Sequence, residues 1–226
     1  MRGPQFATGD LAVQALASIQ RALEALVGVD TETDVRDFVI DAETRRALGP
    51  VRAPREQLLV LQREGALEIA LFVDPAALRN LDAHDPDAAL DDRNLDDYCL
   101  VLEGVSHFVY TVERAKKEQP VSALELELQA EVDKFAACAL KAVSRGHQGR
   151  VGALRERLFA DIELLPDLDD DERSRYRTAN QRAARFARSL EERYLRRGLV
   201  ERMIAELRRF WRMSAAAKLD HIAALP

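Results

Sequence analysis

Cysteine is almost missing from this sequence. Cys99 and Cys138 are the only two, both lie inside apolar helical patterns, and neither has CxxC spacing. A disulfide framework is therefore not expected, and buried free thiols in a reducing compartment fit better. Long apolar runs are missing too. No window approaches eighteen uninterrupted apolar residues, and Met1-Arg2-Gly3-Pro4-Gln5-Phe6 has no apolar stretch behind a basic segment. Neither a membrane span nor a signal peptide is expected, which points to the cytoplasm. Lysine is scarce beside arginine, 5 against 28, and alanine and leucine are abundant. That bias suggests a GC-rich bacterial genome as much as a binding role. The sequence also lacks GxGxxG, a P-loop, GxSxG and a histidine adjacent to either cysteine, which weighs against an enzyme.

What is present is a large reserve of core residues. With 226 residues, 47% of them hydrophobic, the chain can bury one large core or two small ones, and disorder throughout is not expected. Leu16, Ile19, Leu23 and Leu26 recur at a helical period over Thr8 to Val27, which Gly28 ends. Phe38-Val39-Ile40 reads as a short strand, and Asp41 opens a short helix closed by Gly49-Pro50. Between residues 57 and 73 the period changes. Leu58-Leu59-Val60-Leu61, a turn at Arg63-Glu64-Gly65 and the run Leu67 to Val73 predict a hairpin that lies on helices and pairs near Val39. Asp74-Pro75 then caps a short helix through Leu81.

The aspartate-rich stretch from Asp82 to Asp97 reads as an exposed loop rather than a cation site. Two long helices follow, one from Leu95 to Lys117 and one opened by a Ser122/Glu125 capping box, with Leu124, Leu128, Val132, Phe135, Ala139 and Val143 on one stripe. Pro120 separates them by a short connection, so antiparallel neighbours are expected. A shorter helix runs from Arg150 to Leu164 and stops at Pro166. The acids Asp167 to Glu172 suit the positive end of the next helix, whose stripe is Tyr176, Ala179, Ala183, Phe186, Leu190 and Tyr194. Gly198 interrupts it, and two further helices follow, the last capped by Ser214. The expected fold is mainly α with a small β-hairpin, an α+β part over residues 1–94 and a bundle-like helical part over residues 95–226, the two possibly continuous.

Two constellations carry possible chemistry. Glu103 and His107 are spaced i, i+4, as are Glu127 and Glu131, with Asp133 close by; two such faces meeting in a bundle could hold a divalent ion. The spacing departs from ExxH and HExxH motifs, and Glu127 and Glu131 lie off the apolar stripe, which favours solvent exposure. Alone, His107 reads as a hydrogen-bonded interior histidine beside Phe108. The second constellation is a set of arginines. Residues 171–226 carry a net charge of +7, so the rest of the chain carries −13 of the total −6. Arg182, Arg185, Arg188 and Arg196 oppose the Tyr176/Phe186/Leu190 stripe and form a face for an anionic partner. Pairing inside the chain, for example with Glu192, is the competing reading. Tyr194, Phe210 and Trp211 read as core rather than as base-stacking platforms.

The expectation is a non-catalytic interaction or regulatory protein of the bacterial cytoplasm, with a protein partner and no cofactor or membrane association. Nucleic-acid binding through the arginine face is the alternative, and a metal-dependent helical enzyme the third reading.

Overall fold

The computed structural model describes residues 12–48, 54–63, 66–160 and 168–226. The fold is mainly α with one antiparallel hairpin, as the sequence patterns require. The helix start at Thr8, the stops at Gly49-Pro50 and Pro166, the turn at Glu64-Gly65 and Asp167 lie outside the described residues. The chain divides into two compact units, one of residues up to Glu24 with Val29–Pro120, the other of Ala25–Gly28 with Val121–Pro226. The division falls at Pro120, whereas the sequence patterns placed a boundary at residue 94. The two long central helices therefore belong to different units.

In the first unit, helix α1 (Ala12–Val27) buries Leu16, Ile19 and Leu23 at its helical period. Its last residues are grouped with the second unit. Residues 38–40 do not form the expected strand. Val35–Phe38 is a 3-10 turn capped by Asp34, and only Val39 bridges Leu71, in parallel. The Asp34 side chain accepts the Arg36 N–H there, and this local bond favours a turn over extension. The expected contact between the hairpin and Val39 is thus present as one bridge. Helix α2 (Ala42–Leu48) follows, with Asp41 accepting from Thr44 N–H.

Strands β1 (Glu56–Arg63) and β2 (Ala66–Val73) pair from Glu56 opposite Val73 to Arg63 opposite Ala66. Helix α3 (Pro75–Ala83) starts at Asp74, whose carboxylate accepts from Ala76 N–H, and helix α4 (Leu95–Lys116) lies against both strands. Close approach is possible because residue 104 is glycine. A Cβ there would come within 2.9 Å of the Glu56 side chain and 3.1 Å of Leu71. Phe38 and Phe108 pack with ring centroids 4.9 Å apart, and Arg55 ties the end of β1 to Asp74 and Asp97 at 2.9 and 2.7 Å. The aspartate-rich loop is ordered by buried Asn94, whose amide donates to the carbonyls of His84 and Ala89. Arg93 donates to Asp91 and holds its carboxyl down at about 2.

The second unit is helical. Helix α5 (Ala123–Ser144), opened by Ser122 accepting from Glu125 N–H, packs along α7 (Asp170–Arg193), with α6 (Val151–Phe159) against both. The full capping box sits on α7, where Asp169 and Glu172 exchange bonds with each other's backbone N–H. After a 3-10 turn and Gly198, which adopts φ +67°, come α8 (Val200–Arg212) and α9 (Ala215–Ala223). The apolar stripes of α5 and α7 meet in one core containing Leu128, Val132, Phe135, Ala183, Phe186 and Phe210. Phe210 stacks on Phe186 at 4.3 Å, and Trp211 is buried, so neither ring is displayed to a base.

Candidate functional site

The sequence-derived residues separate by unit. Glu103 and His107 stand on α4 in the first unit; Glu127 and Glu131 stand on α5 in the second. His107 is interior, and its Nδ1 lies 3.4 Å from Glu56 Oε1, with both side chains nearly buried. The sequence offers no local signal for Glu56, because it is 51 residues away on β1. Glu127 and Glu131 are half-buried rather than solvated, and Glu131 pairs with Lys134 at 2.8 Å.

The arginine face is largely engaged inside its own unit. Arg188 pairs with Glu192 at 2.9 Å, as the intramolecular reading proposes. Arg196 reaches Glu191 at 2.7 Å, where Arg155 also binds at 2.8 Å. Burial alone would push the Glu191 carboxyl up, but the hydrogen bonds from Arg155 and Arg196 outweigh it and hold it below its ordinary value. Arg185 donates to the carbonyls of Ala223 and Leu225, where α9 ends and its last carbonyls need donors. Arg182 is half-buried.

A constellation that the apolar patterns did not reveal lies beneath this face. Glu125, Gln129 and Asp133 repeat at i, i+4, i+8 on α5, and all three are buried. Facing them from α9 is Lys218, which has no exposed surface. Lys218 Nζ donates to Gln129 Oε1 at 2.7 Å, and Gln129 Nε2 donates to Asp133 Oδ1 at 2.8 Å. Asp133 accepts only while ionised and so fixes which end of the amide points at the lysine. Glu125 Oε1 is 3.9 Å from Nζ, and the Phe210 ring centroid is 5.3 Å away. Beside this group His221 Nε2 meets Glu206 Oε1 at 2.9 Å, and Arg209 binds the same carboxylate. The available signals were the i+4 polar repeat and a lone lysine in an alanine-rich helix.

Neither protein-family models, curated proteins nor solved structures match this chain.

The remaining surface feature is apolar. Leu48, Val60 and Leu61 are large hydrophobic side chains at 59%, 47% and 44% exposure. Val60 and Leu61 sit on β1, which has β2 on one side and, among the described residues, no strand on the other. No helix of the described residues is long and apolar enough to cross a membrane.

Proposed function

We propose that this chain is a non-catalytic interaction protein that accepts an extended segment of a partner protein at the outer edge of β1. The observation carrying this reading is the chemistry of that edge. Gln57-Leu58-Leu59-Val60-Leu61-Gln62 contains no charge and no proline, the two commonest devices that keep an edge strand from pairing. An added strand would draw affinity from main-chain hydrogen bonds and specificity from pockets for alternate side chains. The arginine face supports nucleic-acid binding less well, because Arg185, Arg188 and Arg196 already bind groups of their own unit.

The test introduces charge at the edge without touching the buried hairpin face. Val60→Lys with Leu61→Lys should leave the thermal midpoint of the chain nearly unchanged and abolish partner binding. Retention of the same partner by the double variant would refute strand addition.

A further inference from the structure

A second site follows from the buried lysine and stands independently of the β1 edge. Helix α9 brings little apolar surface to the core: within Ala215–Ala223 only Lys218 and Ile222 are buried. Its other inward contacts are polar, through His221 to Glu206 and through Arg185 at its end. Docking of α9 thus depends on placing one ammonium group against Gln129 and the carboxylates of α5. Those groups are arranged for that cation before it arrives. Asp133 orients the Gln129 amide, Glu125 adds charge at 3.9 Å, and the Phe210 face lies beside the ammonium. Alternating contacts from one helix face make a slot for an alkyl chain ending in a primary ammonium.

We propose that the Glu125–Gln129–Asp133 stripe is a binding site for primary alkylammonium groups, occupied here by Lys218 and open to an external ammonium when α9 lifts. Lifting bends the chain at Met213-Ser214, which is extended between α8 and α9. The selectivity is chemical. A quaternary ammonium has no N–H for Gln129 Oε1, and a sodium ion seeks more oxygen ligands than this stripe presents. An external ammonium competes with Lys218, so it favours the lifted state by mass action.

Two measurements on the full chain test this. In Lys218→Ala, n-propylammonium chloride should raise the thermal midpoint by about 2–4 °C over sodium or tetramethylammonium chloride at equal ionic strength. The rise should vanish when Gln129→Leu is added. In the unaltered chain, n-propylammonium should speed hydrogen exchange of the α9 amides several-fold and leave those of α7 unchanged. This second measurement decides the matter if Lys218→Ala does not fold. Putrescine and Nα-acetyl-lysine amide, compared in the same exchange assay, separate a free amine from a peptide lysine as the natural source. Equal behaviour in propylammonium and sodium would overturn the proposal and leave Lys218 a purely structural residue.

Discussion

Glu191 shows how one buried carboxylate turns local pairing into pH dependence. Its folded-state pKa lies below the ordinary value of 4.5, because Arg155 and Arg196 donate to it more effectively than burial opposes ionisation. A depressed carboxylate contributes stability above its unfolded pKa and loses it as pH falls through the folded one. Acid titration of stability should therefore show a loss beginning near 4.5 that is shallower in Glu191→Gln; identical pH profiles for the two proteins would show that the pairing adds nothing. Gly104 makes a steric prediction at the same scale. An alanine Cβ meets Glu56 at 2.9 Å, so Gly104→Ala should displace that side chain from His107. The expected cost of overpacking is about 1–3 kcal/mol, set against roughly 1 kcal/mol gained in helix propensity. A denaturant titration showing net stabilisation would mean that β1 yields easily to α4.

Helices α5 and α9 make the case at the scale of elements. Phe135 is fully buried in the core shared by α5 and α7 and lies 6.3 Å from the Phe159 ring. Phe135→Ala should cost about 3–5 kcal/mol, and a loss below roughly 1 kcal/mol would contradict that packing. Lys218→Met keeps much of the shape but strands the charge of Glu125 and Asp133, so a loss of about 3–5 kcal/mol is expected. Adding Glu125→Gln should return part of it; additive losses would show that Glu125 and Lys218 are not coupled. Elements with a strong apolar period were legible in the sequence: α4, α5, α7 and the hairpin all lie near their expected positions. Residues 38–40 were not, because an Asp34 side-chain bond to the backbone outcompetes the strand preference of Val39 and Ile40. The buried Glu125–Gln129–Asp133 line escaped for a related reason. Polar residues on a helix read as solvent-facing until a buried cation, here 89 residues from Gln129, is known to meet them.

At the scale of the whole molecule, the charge asymmetry does not translate directly into an open basic surface. Residues 171–226 are positive, yet three of the four arginines expected to bind an anion hold Glu191, Glu192 or the end of α9. A gel-shift titration with duplex and single-stranded nucleic acid at low salt should accordingly show no shift removed by Arg182→Ala, Arg185→Ala and Arg188→Ala together. A steep salt dependence lost in that variant would favour the nucleic-acid reading instead. Function then rests on the uncharged edge of β1, and one comparison tests it most directly. Affinity purification from the source cells should be run in parallel on the native chain and on Val60→Lys with Leu61→Lys. The account predicts a stoichiometric protein partner with the native chain that is absent from the variant. Recovery of the same partner by both, or of no partner by the native chain, would contradict it.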